Sequence, residues 1–208
     1  MRGLVLICFD YSRAQVDEFN DWYDTEHFPE RQRTRGILNA NRWLDTGNRR
    51  LSIAAYDLES IESLRNPEYL AITGDNQSPW SKRMIPLCTM LLRFEGRQIQ
   101  PGSALSNDRA KAMLMAGVNA RISREAYSLM AQRMARVPGV ISVRVFEGTN
   151  NSVQSLEIYE LESAEVAASQ AWELANDEMP NELGSVSSRA KFVHLCDRYV
   201  RAGAGRRG

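Results

Sequence analysis

Tyr56-Asp57-Leu58-Glu59-Ser60 returns 103 residues later as Tyr159-Glu160-Leu161-Glu162-Ser163. At the same offset Gly36-Ile37-Leu38 falls on Gly139-Val140-Ile141, and Trp43 falls on Phe146. Two blocks separated by a turn and agreeing at one gapless offset weigh more than either match alone, and they read as two copies of one unit in a 208-residue chain.

Each copy shows the same order of elements. In the first, Leu4 to Phe9 is a strand rich in β-formers, and Ser12-x-x-Gln15 has the spacing of a capping box opening a helix. That helix runs through Val16, Phe19, Trp22 and Tyr23, apolar residues three or four apart, and Pro29 predicts an end or kink near His27. Strands at about Ile37 to Leu44 and Leu51 to Leu58 flank the turn residues Asp45-Thr46-Gly47-Asn48. A helical region over Ser60 to Leu70, with Asn66-Pro67 as cap and first-turn proline, and a strand from Leu87 to Phe94 complete the unit. The second copy reads as strand Ala112 to Val118, helix Ser123 to Arg136, and strands Val140 to Phe146 and Val153 to Leu161. Helix Ala164 to Asn176 and strand Phe192 to Val200 follow.

The expected fold is therefore α+β: two tandem ferredoxin-like β-α-β-β-α-β units packed sheet to sheet. The first repeat spans 1–97, a connector rich in small residues 98–108, the degenerate second repeat 109–201, and a small basic tail, expected to be disordered, 202–208. A unit of this size with one uncovered apolar sheet face needs a partner, and the other copy supplies it. Further pairing into a homodimer through other surfaces is left open.

Composition removes several classes of function. Lysine plus arginine number 26 and aspartate plus glutamate also 26, so no global field attracts nucleic acid or an anionic membrane. No stretch approaches the roughly 20 apolar residues of a membrane span, and no secretory leader is read after Arg2, so the expected location is cytoplasmic. Cys8, Cys88 and Cys196 are far apart and odd in number, which predicts buried thiols rather than disulfides or a zinc site. Nucleotide-binding glycine motifs and the Gly-x-Ser-x-Gly elbow are absent, and no cofactor or metal is expected.

The stretch Glu18-Phe19-Asn20-Asp21-Trp22-Tyr23-Asp24-Thr25-Glu26-His27-Phe28-Pro29-Glu30-Arg31 resembles the first-helix motif of dimeric α+β barrel proteins, nearest their EthD-like branch. The resemblance implies a barrel of two paired ferredoxin-like sheets, from separate chains or fused in one, which for this chain is a pseudo-dimeric α+β barrel. Its members include cofactor-free monooxygenases, polyketide cyclases, muconolactone isomerases and haem-binding enzymes, so it supports the fold more than any reaction.

The repeat supplies an internal control for the site. At the 103 offset Trp22, Tyr23, Glu26, His27, Glu30 and Arg31 fall on Glu125, Ala126, Leu129, Met130, Arg133 and Met134. The scaffold recurs and the polar cluster does not, which places the working site in the first copy, with the surroundings of Met130 expected to be filled. His27 is the candidate acid or base, because its ordinary pKa of about 6.5 lies near working pH. A helix end and neighbouring acids favour imidazolium, burial favours the neutral ring, and sequence leaves the winner open. Tyr23 is the second catalytic candidate. Asn20, Trp22, Glu26, Arg31, Asn41 and His194 are candidates for substrate contact, His194 only if it faces the same cavity as His27. Tyr56 and Trp43 recur as aromatics and read as packing residues. His27 itself is expected at a partly exposed helix end.

The expected function is a cofactor-independent lyase, isomerase or cyclase acting on a small cyclic or aromatic metabolite by histidine acid–base chemistry. Cofactor-free oxygenation is a variant. A non-catalytic protein binding a small apolar ligand or haem, with His27 as hydrogen-bond partner or axial ligand, is the rival.

Overall fold

Eight antiparallel strands close into a barrel in the order β1-β3-β2-β8-β5-β7-β6-β4. They are β1 Gly3–Asp10, β2 Ile37–Asp45, β3 Leu51–Leu58, β4 Thr89–Gln100, β5 Ala112–Val118, β6 Val140–Gly148, β7 Ser155–Leu161 and β8 Ala190–Arg198. The computed structural model describes residues 1–120, 122–179 and 183–201, and the predicted tail at 202–208 lies outside them. Among the described residues no helix is long and apolar enough to cross a membrane.

The strands of the first half stand in the order β4-β1-β3-β2 and those of the second in the order β8-β5-β7-β6; β2 joins β8 and β4 joins β6. Side chains alternate between two buried faces. Leu4, Leu6 and Cys8 of β1 point into the barrel with Trp43, Ile53, Met115, Phe146 and Ile158. Val5, Ile7 and Phe9 point outward under the helices of the first half, and Leu114, Val145 and Tyr159 point outward under those of the second. The three layers explain why β1, β3, β5 and β7 read as nearly continuous buried runs.

Gly36 and Gly139 adopt φ of +88° and +86°, the left-handed conformation that glycine takes at no steric cost. The carbonyl of Gly36 accepts from Glu59 N–H at 2.8 Å, and that of Gly139 from Glu162 N–H at 2.8 Å. The amides of Ile37 and Val140 donate to Thr34 and Val137, again 103 residues apart.

Several local expectations need correction. Ser12 does not cap the first helix; its N–H and hydroxyl both turn back to Asp10 Oδ1, and Gln15, without a side-chain bond, precedes the helix. The region 60–88 breaks into short turns because Pro67, Pro79 and Pro86 interrupt it: α3 Pro67–Leu70, α4 Pro79–Met84 and 3-10 turns at Ile61–Arg65, Gly74–Asn76 and Ile85–Leu87. In the second half α5 spans Arg124–Met134 and α6 Gln170–Asp177, the latter preceded by a 3-10 turn at Ala164–Ala168 and followed by α7 Val186–Arg189. The connector is shorter than expected, because Gln98 to Gln100 continue β4.

That connector closes one end of the barrel through a buried ionic network. Arg144 Nη1 donates to Asp57 Oδ1 at 2.6 Å and Nη2 to Glu160 Oε1 at 3.3 Å, with all three side chains at most 5% exposed. Ser106 donates its N–H to Asp57 and its hydroxyl to Glu160. Asp57 and Glu160 are 103 residues apart, as are Asn41 and Arg144, so the two halves contribute matching positions to one cluster.

Candidate active site

The helix that carries the candidate residues does not stop at Pro29. It runs as α1 Val16–Trp22, widens into a π turn over Tyr23–His27, and continues as α2 Phe28–Gln32. Pro29 has no N–H to give, and Phe28 N–H reaches back five residues to Tyr23 O. In a regular α-helix residues four apart drift by about 40°. A π turn is wider, so Tyr23, His27 and Arg31 stay on one side and face the first sheet together.

Between that face, the outer side of the first sheet and the turns of 61–88 lies a cavity of about 480 Å³. Val5, Ile7 and Phe9 floor it; Tyr23, His27, Arg31, Tyr56, Tyr69 and Arg93 supply polar groups. No aspartate or glutamate is among its lining residues.

His27 is 5% exposed, against the expectation of a partly exposed helix end. Its ring lies 4.3 Å from that of Trp22 and 5.0 Å from that of Tyr23. Nδ1 is sealed and has no hydrogen-bond partner, so Nε2 is the nitrogen left for a ligand. The contest between charged and neutral imidazole is decided: burial first, then the Arg31 and Arg42 guanidinium groups, hold its pKa well below the ordinary value. His27 is neutral at physiological pH.

The sign of this shift gives a pH prediction. Below about pH 6.5 the unfolded chain takes up a proton at His27 that the folded chain refuses. The stability contribution is full above that pH and is lost as pH falls toward the depressed folded value. Urea unfolding across this window is expected to show stability declining on acidification in the parent, and a shallower decline in His27→Gln. Equal slopes contradict a depressed His27.

Arg31 is buried and held by three oxygens: His27 O at 3.1 Å, Glu30 Oε2 at 3.1 Å and Ile72 O at 3.4 Å. Tyr56, read from sequence as packing, lines the cavity and is 2% exposed, with a hydroxyl that makes no well-formed hydrogen bond and lies beside that of Tyr23. Burial, then the neighbouring Tyr23, pushes its phenol well above the ordinary value, so it stands ready as a neutral donor. Burial also raises Tyr23. Cys88 lines the cavity, but burial pushes its thiol up to about 11, which leaves little thiolate to act as a nucleophile.

The remaining sequence candidates are not among the cavity-lining residues. Trp22 is fully buried behind His27, with Nε1 donating to Ser81 Oγ at 3.0 Å. Glu26 accepts from Ser78 and Ser81, tying the π turn to α4. Asn20 accepts from Arg42 Nη2 at 2.6 Å, and the same guanidinium, 3.1 Å from Asp24, covers the back of Tyr23. Asn41 faces the barrel interior, where Ser106 and Arg198 use its amide. His194, on β8, has Nδ1 2.8 Å from Asp45 Oδ2 and does not share a cavity with His27. Tyr69 and Arg93, which sequence reading missed, sit in a broken helical region and on a lengthened strand. Only the apolar surroundings of a lone arginine could have flagged the second.

The second half is built differently at the matching place. Met130 is fully buried, with its sulfur 3.2 Å from the Tyr159 hydroxyl. That hydroxyl also contacts Glu157 Oε2 at 2.6 Å and Arg189 Nη2 at 3.2 Å, and Arg189 grips both oxygens of Glu157 at 2.8 and 2.9 Å. A methionine and an ion pair thus occupy what is open in the first half. A larger hollow of about 740 Å³ exists in the second half, but it is an open groove beside Leu129, Arg133 and Leu174. Met130 does not line it.

An axial imidazole for haem is held through its second ring nitrogen donating to an acceptor. Nδ1 of His27 meets none. The surroundings of His27 do not fit haem ligation.

No protein-family model and no curated protein matches the chain. Solved structures of the dimeric α+β barrel type do. An anthrone oxidase-like protein superposes with a TM-score of 0.60 at 11% identity, covering 96% of this chain and 92% of that one. A "putative monooxygenase" from Lactobacillus acidophilus gives 0.59 at 10%, covering 95% and 93%. A mutant chlorite dismutase from Candidatus Nitrospira defluvii gives 0.61 at 11%, covering 96% and 92%. At such identities the likeness establishes the α+β barrel fold and nothing narrower.

Proposed function

We propose that the chain is a cofactor-independent enzyme that moves a proton on a small cyclic or aromatic substrate in the cavity of the first half, as a lyase, isomerase or cyclase. The observation that carries this reading is a cavity that brings His27, Arg31 and Tyr56 together on an apolar floor without a carboxylate, with Nδ1 of His27 sealed so that Nε2 is left for a ligand. The matched Tyr159 is held by Glu157 and Arg189, whereas the Tyr56 hydroxyl meets no charged group and has only the Tyr23 phenol beside it, which leaves it able to turn to a ligand.

The chemistry follows from the charges. Neutral His27 takes a proton from carbon or oxygen next to a carbonyl, and the negative charge left on the substrate oxygen is met by the Arg31 cation and the Tyr56 O–H. The burial and arginines that make an imidazolium here a strong acid also make the neutral ring a weak base, so it deprotonates only an acidic C–H or O–H whose conjugate charge Arg31 and Tyr56 stabilise. The proton is returned readily, to another carbon in an isomerisation or to a leaving group in a lyase. The duplicated ferredoxin-like reading fits the same account: the two strand orders and the glycine pair at one offset support fused copies, of which one kept a site.

Dioxygen as acceptor for the same carbanion is the second reading, favoured by the anthrone oxidase-like and monooxygenase-like neighbours. Solvent-deuterium exchange into 2-tetralone, anthrone and 1,3-cyclohexanedione, followed by proton NMR with dioxygen uptake in parallel, tests both. Exchange faster with the parent than with His27→Gln is expected for at least one of them. No difference for any member of the set overturns the proposal.

Tyr56→Phe is expected to lower the rate about tenfold by removing a hydrogen bond to developing charge, with stability unchanged or slightly raised because an unpaired hydroxyl leaves the core. An unchanged rate returns Tyr56 to the packing role its sequence suggested.

A further inference from the structure

We infer that the substrate is an organic anion, an aromatic or fused-ring carboxylate whose acid group is received by Arg93 and Tyr69 at the β4 side of the cavity. The inference rests on the proposed function above and names the substrate class of that same site.

The cavity is lined by two arginines and no carboxylate, on an otherwise apolar floor. Glu95, outside it, takes Arg93 through Nε at 2.8 Å and Nη2 at 2.7 Å, and Nη2 also lies 3.4 Å from the Tyr69 hydroxyl. Arg93, whose side chain is 36% exposed, keeps Nη1 without a protein partner among the described residues and open to solvent or a ligand. Guanidinium is a fork that matches a carboxylate, and its bonds to anions are stronger than those to neutral groups.

A second, smaller hollow of about 230 Å³ shares Leu64 and Arg93 with the main cavity and adds Arg65 and Arg97. Arg65 makes no ion pair among the described residues, whereas Arg97 is paired with Glu62. Glu95 lines this hollow too and pairs with Arg93, so Arg65 is the cation left in excess on the far side of Arg93, and it favours an acid at this end over the apolar floor. Arg93 is paired with Ile7 and Tyr56 with Val5 in the sheet. Two strand spacings and two residues of offset put their Cα atoms about 12 Å apart. That distance leaves room for a ring system between an acid group on Arg93 and a reacting oxygen at Tyr56 and His27.

The test compares 3-hydroxy-2-naphthoate with 2-naphthol, which keeps the rings and hydroxyl and lacks the carboxylate, by fluorescence and calorimetric titration. The full chain is expected to bind the naphthoate at least about tenfold more tightly, and Arg93→Met to abolish the preference while still binding 2-naphthol. Arg93→Lys, which keeps the charge and loses the fork, is expected to reduce the preference severalfold, and it carries the comparison if Arg93→Met does not fold. Equal affinity for the two compounds, or an undiminished preference in a folded Arg93 variant, overturns the inference and leaves an aromatic site at His27 standing. If neither compound binds, the reading of the cavity as an aromatic site fails, and the inference with it.

Discussion

His27→Gln is expected to slow proton transfer at least about a hundredfold while the protein stays folded. Glutamine retains much of the volume and an amide that can meet a ligand oxygen, but it cannot accept and return a proton. His27→Ala gives the same kinetic loss with a different structural outcome. The imidazole is buried against Trp22 and Tyr23, so truncation opens a void and is expected to cost about 2–3 kcal/mol. Chemical denaturation and turnover measured on the same samples separate the two effects. Full activity in the glutamine variant reduces His27 to a positioning group, and a glutamine variant that fails to fold makes the polar cluster structural.

Arg144→Met is expected to be the most destabilising single change, at about 3–5 kcal/mol. Arg144 is 1% exposed and joins Asp57 of the first half to Glu160 of the second. Removing it leaves two carboxylates in the barrel with only hydroxyl and amide donors from Ser106, Asn107 and Ser142. Replacing all three charged groups together, as Asp57→Asn, Glu160→Gln and Arg144→Met, is expected to cost less than Arg144→Met alone, since no uncompensated charge remains. Equilibrium unfolding of both variants decides the matter. A loss under 1 kcal/mol in the single variant contradicts a network that joins the halves by charge.

The strand framework was legible because its signal is redundant: Gly36 and Gly139 require the same left-handed backbone, and alternating apolar residues repeat at one offset. The helical segments were less so. Three prolines split 60–88 into turns whose positions depend on how they cover the cavity rather than on local propensity. In the site, the contrast between the two halves at the 103 offset points to His27 and Arg31, and both line the cavity. The same contrast is silent on Tyr56, which recurs as Tyr159: it packs in the core of the first half and also lines the cavity. Tyr159 is bound by Glu157 and Arg189, which have no counterparts beside Tyr56, and identity at the offset could not show that difference. Asn20, Glu26 and Asn41 are polar residues near the right elements whose bonds are consumed by Arg42, Ser78 and Ser106, partners distant in sequence.

The chain has only two histidines, so ring-15N NMR of histidine-labelled protein reads the site with little overlap. His27, assigned by its loss in His27→Gln, is predicted to remain neutral well below pH 6.5, and its Nε2 resonance to move when 3-hydroxy-2-naphthoate or 2-naphthol is added, while His194 stays unmoved. A His27 that becomes charged near pH 6.5 and is indifferent to a compound shown by titration to bind, or a response at His194 alone, would contradict a catalytic cavity in the first half.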